Sequence, residues 1–69
     1  MPLTMAKIGE ENLILKVGGK PETRQFLENL GFVPGSIVTV ISEIGGNLIV
    51  RVRESRVAVS REMANKILI

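Results

Sequence analysis

The sequence predicts a mainly β domain: a small closed or nearly closed barrel of about five strands, one inserted α-helix and a short helical turn before the last strand. Three observations predict it. Five short runs rich in Val, Ile and Leu are separated by turn residues. One segment of about ten residues carries helical spacing. The chain has only 69 residues, too few for two full sheets, so a barrel is the economical way to bury both apolar faces and hide strand edges. The whole chain, residues 1–69, reads as a single domain.

Residues 1–11 form a lead-in, with Leu3, Met5 and Ile8 alternating loosely with polar residues before Gly9. Asn12 to Val17 is the first strand, and Gly18-Gly19 breaks it. Pro21 suits the first position of a helix, where its missing N–H costs nothing, and Glu22 favours the positive end of the helix dipole. The helix is predicted over 21–30, with Phe26, Leu27 and Leu30 sharing a face. Gly31 stands where a left-handed residue ends the helix, and Phe32 is placed to pack back on Leu27 as in a Schellman ending. Pro34-Gly35 then supplies a turn with φ fixed at one position and free at the next.

The second half is richer in β. Ile37-Val38-Thr39-Val40-Ile41 is β-branched at every position and reads as a strand. Gly45-Gly46-Asn47 gives a tight turn. Leu48, Val50 and Val52 then alternate with Ile49, Arg51 and Arg53, a half-buried strand with one apolar and one mostly cationic face. Glu54-Ser55 is the next turn, after which Val57 and Val59 point one way and Arg56, Ala58 and Ser60 the other. Ser60 is placed to cap a helical turn over 61–66, and Ile67-Leu68-Ile69 closes the chain by pairing with Leu13–Val17.

Composition narrows the chemistry. There is no Cys, no His and no Asp, so disulfides, thiolate metal sites, the commonest metal ligand and the commonest general base are all absent. The seven glutamates are scattered and form no ligand cluster. They read as solvated surface charge. A serine nucleophile lacks an activating partner, and Gly18-Gly19-Lys20 lacks the spacing of a phosphate loop. No catalytic residue, cofactor or metal site is therefore expected, and the protein reads as a non-enzyme. The formal charge is only +2. Neither a signal peptide nor an apolar stretch near the roughly 20 residues of a membrane span is present, so a cytoplasmic protein that does not itself span the membrane is expected.

Arg51, Arg53 and Arg56 are the one local concentration of charge. Such a strip on a small barrel is compatible with RNA or DNA. There is no Trp or Tyr, however, and the two Phe lie at the helix end, so the stacking platforms of single-strand binders are missing. A solvated sheet edge that discourages aggregation accounts for the arginines. The remaining reading is an interaction module. Phe32, Val33 and Pro34, beside the helix end and its turn, are the candidate partner-binding residues. Phe32 has a competing reading as a core or cap residue.

Laid out in this way, the chain resembles the FeoA family, small cytosolic proteins associated with the bacterial ferrous iron transporter FeoB; related SH3-like domains occur in iron- and manganese-dependent repressors. The resemblance rests on Gly9 after the lead-in, on the Leu27-x-x-Leu30-Gly31-Phe32-x-Pro34-Gly35 core, on the glycine hairpin and Val57-Ala58-Val59, and on the Glu62-x-Ala64-x-x-Ile67 ending. The family often has Arg where this chain has Phe26, and Gly where it has Glu54-Ser55. The resemblance implies an SH3-like barrel and an accessory or regulatory role in ferrous iron uptake through protein–protein interaction with the cytosolic domain of a FeoB-type transporter. It also implies transition metal ion binding at the level of the family. The alternative function is a small nucleic-acid-binding β-barrel.

Overall fold

The β segments sort into two antiparallel sheets, one of four strands and one of two. The computed structural model describes residues 1–69. After a 3₁₀ turn at Leu3–Met5 come β1 (Glu11–Leu13), β2 (Lys16–Val17) and α1 (Pro21–Leu30), then β3 (Ile37–Ile44), β4 (Asn47–Val52) and β5 (Ser55–Ser60), and last α2 (Arg61–Ala64) and β6 (Ile67–Leu68). The larger sheet has the order β1-β3-β4-β5, and β2 pairs with β6.

The single first strand expected over 12–17 is in fact two. Glu11, Asn12 and Leu13 pair with Thr39, Val38 and Ile37, whereas Lys16 and Val17 pair with Leu68 and Ile67. The backbone between them explains the break. Ile14 N–H donates to the Ser36 carbonyl at 2.9 Å, and one residue later Leu15 N–H donates to the Leu68 carbonyl at 2.8 Å. The chain thus leaves one sheet for the other within a single peptide unit, which makes a barrel corner. The parity of burial records it: Ile14 and Val17 point inward, three residues apart, where an unbroken strand would alternate by two.

β3 runs three residues beyond its expected end at Ile41. A bulge allows this. Val40 faces Val50, but Ser42 faces Ile49, so Ile41 is the extra residue. Gly45-Gly46 alone forms the hairpin turn, with Asn47 opening β4 opposite Ile44. The next turn also shifts. Val52 pairs with Ser55, so Arg53-Glu54 is the turn and Ser55 belongs to β5, one residue away from expectation.

The core comprises thirteen buried apolar residues, with Phe32, Leu3, Ile14, Leu27 and Ile67 the largest that are fully enclosed. Leu27 packs inside and Leu30 against its margin, as the helical spacing predicts, but Phe26 is half-exposed. Leu3, expected only as part of a lead-in, is completely buried. A bridge between Pro2 and Leu68 and a hydrogen bond from Ile69 N–H to the Met1 carbonyl (2.7 Å) hold this segment beside β6.

α2 ends at Ala64, two residues short of its expected extent. Ser60 caps it as predicted, its Oγ accepting from Met63 N–H at 3.1 Å. Ser60→Ala is expected to lower stability by about 1 kcal/mol, the usual cost of a lost N-cap, and urea unfolding measures it. The exposed pair Arg61–Glu43 (2.5 Å) ties α2 to the end of β3 and contributes little, as solvated pairs do. No helix is long and apolar enough to cross a membrane.

Candidate interaction surface

The segment 31–36 connects α1 to β3, and its conformation follows from four hydrogen bonds. Gly31 has φ 109° and ψ 0°, and its N–H donates to the Glu28 carbonyl at 2.9 Å. Phe32 N–H donates to the Leu27 carbonyl at 3.0 Å. These are the two bonds of a Schellman ending. Pro34 and Gly35 are the central residues of a β-turn closed by Ser36 N–H to the Val33 carbonyl at 3.1 Å. Gly35, at φ 91°, supplies the positive φ of the second central position. Its N–H reaches the Ile14 carbonyl at 2.8 Å, which staples the turn to the barrel corner. The turn is therefore presented on a fixed backbone.

Of the three residues expected to contact a partner, the structure separates one from the other two. Phe32 is 0% exposed and is the largest enclosed side chain; its place as a contact residue is corrected to that of a core anchor, because the Schellman geometry folds it back beneath the helix end. Val33 is half-buried and Pro34 is exposed, so these two form the available surface. Arg53 lies beside Gly31. A Cβ placed on Gly31 would meet Arg53 Cδ at 3.5 Å and Nε at 3.7 Å, so this side chain crosses the C-terminal end of α1, where a cation is favourable.

Arg53 lies just beyond β4 rather than on it, as the alternation suggested, although its side chain and that of Arg51 line one depression of the surface. It occupies the β4–β5 turn with φ 56°, the one non-glycine residue at positive φ. Arg51 instead stands directly opposite Arg56 on β5 and opposite Thr39 on β3, which in turn faces Glu11. This row across four strands was missed, because its members come from separate segments and only the pairing register joins them. The outer face of the sheet carries no aromatic residue: Phe32 is enclosed and Phe26 lies on α1. That disfavours nucleic acid.

Metal chemistry finds no assembled site. No three acidic residues come together as a metal cage, and the sequence has no His or Cys to supplement them. The donor set therefore does not fit a resident transition metal ion. No unpartnered polar side-chain atom is buried.

Compared with known proteins, the chain matches the FeoA domain over residues 1–69. It is 34% identical over 68 residues to a protein of Methanocaldococcus jannaschii provisionally named Fe(2+) transport protein A, covering 99% of this chain and 83% of that one. The solution structure of FeoA from Chlorobium tepidum is similar with a TM-score of 0.89 at 24% identity, covering 99% of this chain and 67% of the other. FeoA of Stenotrophomonas maltophilia, crystallised with zinc and described as a prokaryotic SH3 domain protein, is similar with a TM-score of 0.85 at 24% identity, covering 99% and 87%. The fold is thus SH3-like.

Proposed function

This chain belongs to the FeoA domain family, and on that premise we propose that it is a non-enzymatic accessory protein of ferrous iron transport that binds the cytosolic part of a FeoB-type transporter. The observation that carries the proposal is the family match across the whole chain. The name of the M. jannaschii relative, an Fe(2+) transport protein, supports the process. The chemistry supports an accessory role: without a nucleophile–base pair or a metal cage, the surface offers recognition alone. The protein then acts in the cytoplasm, where such a domain is accessible to it.

The turn Val33-Pro34 is the contact in this reading, since apolar atoms on a hydrogen-bonded loop are presented with little entropy left to lose. Affinity for the purified cytosolic domain of the transporter tests it. Val33→Glu is expected to weaken the complex by about tenfold or more, because an unpaired carboxylate is costly inside an interface. Val33 is half-buried, so Pro34→Glu at its exposed neighbour provides a second readout, with circular dichroism reporting the fold of both. Two folded variants that bind as tightly as the parent would remove this surface. No binding by the parent in either nucleotide state would remove the partner.

A further inference from the structure

The outer face of the four-stranded sheet carries a row of charge that the fold does not use. Glu11, Thr39, Arg51 and Arg56 are successive cross-strand partners on β1, β3, β4 and β5. Arg51 and Arg56 are exposed and face one another, and neither takes part in the chain's one salt bridge, Arg61–Glu43. Like charges directly opposite in a ladder repel, so this pair weakens the sheet that holds it. Two guanidinium groups on adjacent strands, with Cβ atoms about 5 Å apart, present planar forks of N–H donors suited to carboxylates.

Shape adds to charge. Two shallow depressions share Glu11, Thr39 and Arg51; one continues to Ser36, Ile37 and Arg53, the other to Gly9, Ile41 and Arg56. Together they make an open trough along the outer side of β3, apolar at Ile37 and Ile41 and cationic between. At about 3.3 Å per residue, the distance from Ile37 to Ile41 accommodates about four residues of extended chain.

We infer that this trough docks an extended acidic segment of a partner protein, with carboxylates on Arg51 and Arg56 and apolar side chains on Ile37 and Ile41. Charge complementarity selects the occupant, and the apolar ends favour a peptide. A nucleic-acid strand would find no aromatic side chain to stack on and would bring its phosphates past Glu11. A flat anionic membrane would not follow a concave trough. Glu11 also sets a preference: the segment carries no acidic residue on the side that faces β1. The inference stands whether or not a transporter is the partner.

The test titrates the 69-residue protein with a synthetic peptide alternating glutamate and valine, at low and physiological ionic strength. Controls are the same peptide with lysine for glutamate, a single-stranded DNA oligonucleotide, and phosphatidylglycerol-containing vesicles. The acidic peptide is expected to bind, more weakly as salt rises. Arg56→Glu is expected to weaken it by about tenfold or more while raising the unfolding midpoint, because the like-charge pair with Arg51 becomes an attractive one. Loss of affinity with gain of stability is a signature that damage to the fold does not produce. Glu11→Gln is expected to tighten binding by about twofold to threefold. The lysine peptide is expected to ignore the parent and to bind the double variant Arg51→Glu, Arg56→Glu. Failure of the acidic peptide to bind, or undiminished binding by Arg56→Glu, overturns the inference. Tighter binding of the oligonucleotide or the vesicles overturns it too, in favour of that class of ligand.

Discussion

Phe32→Ala is expected to remove about 3–5 kcal/mol, a large share of the protein's stability. The side chain is fully enclosed and the largest in the core, and removing such a ring typically costs about 3–5 kcal/mol through lost burial and the cavity left behind. At about 0.05–0.15 kcal/mol per residue, a chain of this length has roughly 3–10 kcal/mol of stability in total. The loss is therefore of the same order as the whole. Collapse of the cavity is restricted at this position, because the residue is held from both sides in the backbone: Phe32 N–H is bonded to the Leu27 carbonyl, and Val33 N–H to the Gly31 carbonyl at 3.0 Å. Urea unfolding followed by circular dichroism measures the effect, and Phe32→Leu, which keeps most of the apolar volume, is expected to lose less. A cost for Phe32→Ala below about 1 kcal/mol would show that the ring is not an anchor of the core.

Gly31→Val is expected to cost at least about 2 kcal/mol, and for a different reason. Space is not the obstacle: a Cβ at this position would meet Val52 Cγ1 at 3.6 Å and Arg53 Cδ at 3.5 Å, ordinary van der Waals separations. The obstacle is φ 109°. L-residues lose about 1–2 kcal/mol in the left-handed region, and a β-branched side chain more. Relaxing φ would break the two bonds of the Schellman ending and swing Phe32 out of the core. A series orders the variants by backbone tolerance: Gly31→Asn is expected to cost least, Gly31→Ala more and Gly31→Val most. Equal costs for Asn and Val would mean that contacts, not conformation, set the penalty.

Both predictions concern a segment whose structure was legible from the residues alone. The helix over 21–30, its glycine cap, the Pro34-Gly35 turn and the Ser60 cap depend on interactions spanning no more than about five residues, and the residues making them lie next to one another in the chain. The alternation of Leu48, Val50 and Val52 is local in the same sense: with a side-chain period of two, three inward valine or leucine residues mark the buried face without reference to any partner. At the candidate surface only the exposure of the three residues is decided. Pro34 is exposed and Val33 half-buried, but the spacing that placed Phe32 beside them is also the spacing that folds it inward.

Tertiary structure decided the rest. Whether Leu13–Val17 forms one strand or two depends on which backbone groups stand opposite it, and those belong to Ser36 on one side and Leu68 on the other, 22 and 53 residues further along the chain. Leu3 is buried because β6 and the bridge to Pro2 bring it over the core, and no periodicity in a three-residue turn announces that. The bulge at Ile41 and the turn at Arg53-Glu54 are matters of register, which a strand's own residues leave open by one position. That one position put Arg53 in the turn, near the helix end, and left Arg51 opposite Arg56. The sequence by itself determined α1 and its glycine cap, the Pro34-Gly35 turn, the Ser60 cap and the inward face of β4, because these follow from short-range sterics and hydrogen bonding. Closure of the barrel decided the partners, because pairing energy is gained only when distant strands meet and the register that buries the apolar faces wins.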